Sequence, residues 1–410
     1  MRAVCQTLLL LLPAMVLVAQ WPGRRMGMAG GVGMVPPRYQ RLYQTLEQAV
    51  TEFGRSVEKH GEAGKAPAMV YAANLRTGDC HRGEALLTPE GWQSNMLFLD
   101  RLQSMGVQGV KVPISYPCLV PDFPRYTDYL AFYKRLFSEL RRRHMSSMVQ
   151  VGSRFNTADV QVKYDYATGM TFQKYKDGKK QQIGIIIREL QPDYVTVAQE
   201  PTTEASNAHV PEVNTVKGFS ELVGYLVQGL NKGKTLTGAG TGNWSDPKMI
   251  GSIAHIPALD YVDLHIYPAG TNGDNYLEQA MEMARTAAKN GKRLTISEFW
   301  LYKAGPGELG GGVAATPRIF RRDAYGFWAP LDRQFIGDIV TFANRMRASF
   351  ISISFGEYLF GYLPYSPRLE ELPEQEFLRV LRTRVFNRLK EGDLSPSGEM
   401  YKQLIAEAGH

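Results

Sequence analysis

From about residue 68 onward, short apolar runs rich in β-branched residues alternate with longer stretches whose apolar positions recur every three or four residues. Period-two and period-3.6 segments in strict alternation predict a parallel sheet with crossover helices. The predicted strands are Ala68–Leu75, Gly109–Ile114, Ser147–Gly152, Tyr194–Gln199, Thr235–Gly238, Tyr261–Ile266, Leu294–Phe299 and Phe350–Phe355. Helices are predicted at Pro89–Met105, Tyr126–His144, Phe172–Leu190, Val216–Asn231, Asn275–Asn290 and Phe335–Arg347, and at Gln375–Lys390 and Ser397–Ala408 near the end. Eight strand–helix units are the number that closes a barrel. An open doubly wound sheet would use fewer strands and place a glycine-rich phosphate loop after the first, and Ala72-Ala73-Asn74-Leu75-Arg76-Thr77-Gly78 is no such loop. The expected fold is therefore α/β, a (β/α)8 TIM barrel with an N-terminal helical extension at about Tyr39–Lys59, all within one domain spanning 38–410.

The N-terminus adds a destination. Arg2 precedes an apolar run from Leu8 to Ala19, interrupted by Pro13, which has the length of a signal-peptide core and is short for a membrane span. Residues 1–20 read as a signal peptide or an uncleaved membrane anchor, and 21–37, with Gly27–Gly33 and Pro36-Pro37, as a flexible tether. A secreted, periplasmic or outward-facing tethered protein is expected. Cys80 and Cys118 would then be able to pair, or to remain as two thiols.

At 44% hydrophobic and 21% charged residues the chain has the composition of a folded globular protein. The net charge of +7 raises the question of nucleic acid. The basic residues are scattered, however, and the densest clusters, Arg141–Arg143 and Lys174–Lys180, read as solvated helix ends and loops. No nucleic-acid partner is expected. A basic surface is compatible with an acidic polysaccharide without establishing one. No cysteine–histidine spacing suggests a metal site, and no cofactor is expected.

In a barrel of this kind chemistry sits where strands end at their C-terminal edge. Strand four ends in Gln199-Glu200-Pro201, strand six in His265-Ile266-Tyr267, and strand seven in Glu298-Phe299-Trp300. Glu200 and Glu298 lie three βα steps of about 33 residues apart, close to the roughly 30 that one unit needs, so they face each other across the barrel mouth. Two opposed carboxylates, one protonated and one ionised, are what glycosidic cleavage requires.

These motifs resemble those of clan-A glycoside hydrolases, most nearly the family 5 endoglycanases, over about residues 68–410. The resemblance implies a retaining glycoside hydrolase acting on a polysaccharide or oligosaccharide by double displacement, with Glu200 as acid/base and Glu298 as nucleophile. It also implies that Tyr267 touches the nucleophile and that His265 and Gln199 line the sugar site. Gln199 stands where the family has Asn, and Lys111 on strand two where relatives often carry Arg. Lys111 is therefore expected either to support the nucleophile or to form an internal ion pair. Trp244 and Trp300 are positioned as sugar platforms or as packing, and Glu204, Glu357, Arg154 and Asn156 are secondary candidates. The competing reading is a catalytically weak or inactive barrel that binds glycans. A monomer is expected.

Overall fold

The structure is a computed structural model and describes residues 34–60, 68–155, 164–267, 276–305, 308 and 316–409. The expected export segment, the tether up to residue 33 and Asn156 lie outside the described residues. Eight parallel strands close into a barrel in sequence order: β1 Val70–Asn74, β2 Gly109–Pro113, β3 Ser146–Gln150, β4 Tyr194–Ala198, β5 Leu236–Gly242, β6 Tyr261–Ile266, β7 Arg293–Phe299 and β8 Phe350–Ile353. The helices are α1 Gln40–His60, before the barrel, then α2 Pro89–Ser104, α3 Tyr126–Arg142, α4 Phe172–Leu190, α5 Pro201–Ala208, α6 Val216–Val227, α7 Lys248–Ala254, α8 Tyr276–Lys289, α9 Thr316–Asp323, α10 Ala329–Arg345, α11 Pro367–Glu370, α12 Glu374–Glu391 and α13 Pro396–Ala408. The hydroxyls of Thr88, Thr171, Thr215 and Ser395 accept the orphan N–H groups at the starts of α2, α4, α6 and α13, which fixes those boundaries. Among the described residues no helix is long and apolar enough to cross a membrane.

The expected TIM barrel is thus what the chain forms. Strand β5 runs past its predicted end because its glycines, which read as breakers, face a crowded interior. A side chain at Gly238 would come within 2.0 Å of the Tyr261 ring, so the missing Cβ there is room for a large aromatic.

Alternation along the strands divides the barrel interior into two levels. Near the N-terminal ends, Ala72, Met148, Tyr261 and Phe350 form an apolar plug with Val70, Tyr194 and Leu236 packed against it. Further along the strands the inward positions turn polar: Lys111, Gln150, Thr196, Asp263 and then His265, all buried. Burying these groups is tolerable only if each finds a partner, and that requirement shapes the site above.

Outside the barrel, α1 presents Leu46, Val50, Phe53 and Val57 on one face, and Phe53 packs against Phe335 and Phe342 of α10 at 6.5 and 6.0 Å between ring centroids. Asp338 of α10 is caught in this interface, close against Gly54. Burial, with Glu58 adding to it, pushes its carboxyl up to about 7. A raised carboxyl pKa means that the folded state holds the proton between roughly pH 4 and 7, so this group disfavours folding increasingly as pH rises through that window. Asp338→Asn is expected to stabilise the protein by on the order of 1 kcal/mol at pH 8 and by little at pH 4. Thermal melts at the two pH values check this.

Candidate active site

Both candidate glutamates leave strands that break their own register. The β4–β5 pairing shifts between Thr196 and Ala198, and the β7 pairings shift on both sides of Ser297. Strict alternation after inward-facing Thr295 and Ser297 would turn Glu298 away from the mouth. The irregularity brings it back, paired in register with His265. Glu200 reaches the mouth by a different device. Its backbone sits in the left-handed region at φ 44°, immediately before Pro201 opens α5. That conformation is costly for a non-glycine residue.

Glu204, one turn into α5, steadies this corner. Its Oε1 accepts the Gln199 backbone N–H at 2.8 Å, while its other oxygen is bonded by Lys179 and by the Tyr175 hydroxyl. All three side chains are fully buried.

The two carboxyls meet at His265. Its Nδ1 donates to Glu200 Oε1 at 2.7 Å and lies 3.7 Å from Glu298 Oε2. One ligand-type atom from each of Glu200, His265 and Glu298 falls within 4.8 Å of the other two. Glu200 Oε2 also accepts from the Thr203 hydroxyl at 2.8 Å. Glu298 is held by Lys111 at Oε1 and by the Tyr267 hydroxyl at Oε2, 2.5 Å away, with Ser354 Oγ 2.7 Å behind that hydroxyl.

The electrostatics of the pair are unequal. Burial alone would raise the Glu298 carboxyl, but the Lys111 ammonium, His265 and the Tyr267 hydroxyl override it and hold it well below the usual carboxylate range. Glu298 is therefore ionised throughout the neutral and mildly acidic range. Burial likewise pushes His265 down, while Glu298, Asp263 and Glu200 push it up more strongly, to about 10. The neighbouring amide pulls the other way. Gln150 commits its carbonyl oxygen to Lys111 at 2.8 Å and turns its N–H toward His265 Nε2, also at 2.8 Å, which favours a neutral ring. The cation prevails, because Ser297 Oγ at 3.2 Å offers Nε2–H another acceptor and Asp263 Oδ2 lies 3.7 Å away. In either state Nδ1 carries the proton given to Glu200. Asp263 in turn accepts from Thr295, from Ser297 through both side chain and backbone, and from Thr196. The polar level of the barrel is thus one connected lattice beneath the two glutamates.

Above the pair opens a small cleft. Of the residues singled out in the sequence, Glu200, Glu298, Gln199, Tyr267 and Glu204 line it. His265 and Lys111 lie directly under it, bonded to the glutamates. The two tryptophans do not line it. Trp300 is buried between Tyr358, stacked at 5.2 Å, and Phe355, with Lys303 over its face. Trp244 leans on the Tyr267 ring at 5.9 Å, and Tyr267 is itself stacked on Tyr302. Trp300 serves as packing behind the wall, and Trp244 is partly buried beside Tyr267. Arg154 is buried under Phe123 rather than at the surface of the cleft. Gln150, Asp263 and the wall residues Asn74, Asp79 and His81 were not anticipated. Gln150 had a signal, a polar residue closing a strand, and so did Asp263, a carboxylate in the middle of an apolar run.

Among the described residues two groups have metal-ligand composition, and neither fits a cation. In Glu200–His265–Glu298, the Lys111 ammonium already occupies the carboxylate that would bind one. In Asp79–Cys80–His81, Asp79 Oδ1 is committed to the His81 ring and backbone N–H, and burial together with Cys118 pushes the Cys80 thiol well up. Cys80 and Cys118 are both buried free thiols.

Solved structures of glycoside hydrolases share this chain's barrel fold. Among them are a family 5 subfamily 18 enzyme from Bifidobacterium longum subsp. longum in complex with Manβ1-4GlcNAc (12% identity, TM-score 0.50, covering 83% of this chain and 78% of that one) and an exo-β-1,4-mannosidase from Opitutaceae bacterium strain TAV5 (14% identity, TM-score 0.51, covering 85% of this chain and 61% of that one). A family 5 mannosidase from Rhizomucor miehei is also similar (12% identity, TM-score 0.47, covering 80% and 96%). A scan of the sequence against protein-family models and a search of curated proteins return no match.

Proposed function

We propose that the protein is a glycoside hydrolase that cleaves O-glycosidic bonds with retention of configuration. Glu298 is the nucleophile and Glu200 the acid, then the base. The observation that carries the reading is the unequal pair itself: two carboxyls from the ends of β4 and β7, within 4.8 Å at their nearest ligand atoms, opening on one cleft. That spacing suits direct attack by a carboxylate at about 5–5.5 Å between carboxyl groups better than the wider gap that holds a water for inversion. The fold shared with family 5 enzymes supports the same class of reaction.

In the first step Glu298, kept ionised by Lys111, attacks the anomeric carbon while Glu200 gives a proton to the departing oxygen. The product is a glycosyl ester on Glu298 and a free aglycone. In the second step Glu200 takes a proton from water, which attacks the ester and frees Glu298. His265 touches both carboxyls, so it senses the transfer of charge from one to the other and holds Glu200 in line. All of these groups belong to the chain itself.

The test is a 2-deoxy-2-fluoro glycoside with a good leaving group. Mass spectrometry should find a stable adduct on the peptide carrying Glu298. Mannosides head the panel, because two of the proteins sharing the fold are named for mannose-containing ligands or linkages. Binding of sugars across a broad panel, with neither adduct nor turnover, would favour a glycan-binding barrel instead.

Lys111 gives a second check. Removing an opposite charge beside a carboxylate raises its pKa by about one to three units. Lys111→Met should therefore move the acidic limb of kcat/KM upward by that amount, because Glu298 would take a proton sooner as pH falls. Lys111→Arg keeps the charge and should leave the limb low. A pH–rate profile of the three proteins decides it.

A further inference from the structure

Resting on the glycosidase reading of this cleft, we infer that Asn74 binds the sugar being transferred, through that sugar's hydroxyls at C3 and C4. Asn74 is the last residue of β1. Two residues earlier, Ala72 points into the barrel as part of the apolar plug, and alternation turns Asn74 to the same side. Asn74 pairs in register with Lys111, the residue that holds Glu298, and it lines the same cleft as both glutamates.

The charged groups around it are committed to one another. Lys111 and Tyr267 hold Glu298, and His265 and Thr203 hold Glu200. Lys179 and Tyr175 hold Glu204, and His81 holds Asp79. Of the residues lining the cleft, two carry a buried side-chain oxygen with no hydrogen-bond partner among the described residues, Asn74 and Gln199. Asn74 is only 8% exposed. A polar atom buried to that degree is costly to leave unpaired, and a ligand that brings it a partner removes the cost. Whichever way its amide is turned, Asn74 offers one acceptor and one NH₂ donor and carries no charge. Two adjacent hydroxyls, one giving and one receiving a hydrogen bond, match that pair.

The barrel decides which part of the sugar Asn74 meets. Glu200, past the end of β4, faces the departing oxygen, so the transferred ring lies across the anomeric carbon from it. The strands close in sequence order, which sets β1 and β8 opposite β4 and β5. A group on β1 therefore meets the edge of the ring remote from the anomeric carbon, where a pyranose carries C3 and C4. Gln199, just past β4, stands on the other side.

The experiment measures kcat/KM of the full chain on 4-nitrophenyl β-mannoside and β-glucoside and on their 2-, 3-, 4- and 6-deoxy analogues. Loss of the C3 or C4 hydroxyl should cost the wild type about tenfold or more, because the amide is then left unpaired. Asn74→Ala should slow the parent glycoside by a similar factor and bring the ratio of parent to 3- or 4-deoxy substrate toward one. The 2-deoxy penalty should persist in that variant, since its hydroxyl lies beside the anomeric carbon. Asn74→Asp keeps an acceptor and should retain part of the discrimination. The side chain makes no hydrogen bond among the described residues, so these variants are expected to fold. A residue that only shapes the strand end would slow every substrate in proportion and leave all the ratios alone. Parent glycosides hydrolysed with the 3- and 4-deoxy penalties intact in Asn74→Ala would overturn the inference while the glycosidase reading stands. If no glycoside is turned over, calorimetric titration with the matching methyl glycosides decides. Binding that needs the C3 or C4 hydroxyl in the wild type and not in Asn74→Ala keeps the inference and removes the hydrolytic reading, and no such difference sinks both.

Discussion

Glu298→Ala is expected to abolish turnover by on the order of 10⁴-fold or more, the scale on which removal of a covalent nucleophile acts. The fold should survive. Glu298 is anchored by Lys111 and Tyr267 at the mouth, above the apolar plug that fills the barrel, so its loss leaves that packing in place. It does leave the Lys111 ammonium without its carboxylate, with Gln150 as the remaining acceptor. Azide, small and anionic, fits the space the side chain vacates beside that ammonium. Rescue should yield a glycosyl azide of inverted configuration, visible by nuclear magnetic resonance. Full activity in the alanine variant would remove Glu298 from the mechanism.

Glu200→Ala should behave differently according to the leaving group. Natural glycosides, whose oxygen needs a proton to depart, are expected to slow by about 10²–10⁴-fold, the usual worth of a positioned general acid. Aryl glycosides with acidic phenols need little help in the first step. They should show a burst followed by slow release, because the ester on Glu298 then waits for a base. Pre-steady-state kinetics with a graded series of phenols distinguishes this from a general loss of structure, which would slow every substrate alike. A flat dependence on phenol acidity would assign Glu200 some other task.

Much of this arrangement could be read from the chain before any coordinates. The barrel was legible because eight apolar runs alternate with amphipathic segments, and the glutamates because each closes such a run. What could not be read is how they are aimed. A strict period of two turns Glu298 outward after Ser297, and only the register break in β7 returns it to the mouth. Nothing in Ser297-Glu298-Phe299 announces that break. Trp300 shows a related difficulty. Adjacency to Glu298 says nothing about which side of the wall Trp300 occupies, and the structure puts it among Tyr358 and Phe355. Gln150, Asp263 and Glu204 were visible as polar residues in or beside apolar runs. The partners of Gln150 and Asp263, Lys111 and Ser297, sit on neighbouring strands and meet them only through strand pairing, while the partner of Glu204, the Gln199 N–H, lies five residues back across the turn into α5.

The left-handed backbone at Glu200 has a consequence for the history of such a chain. Glycine would occupy that position without strain and asparagine with little, so the residue proposed to serve turnover stands where the local geometry prefers another. A lineage released from the need to hydrolyse anything would find sturdier variants one substitution away, and would lose its chemistry by drifting toward comfort.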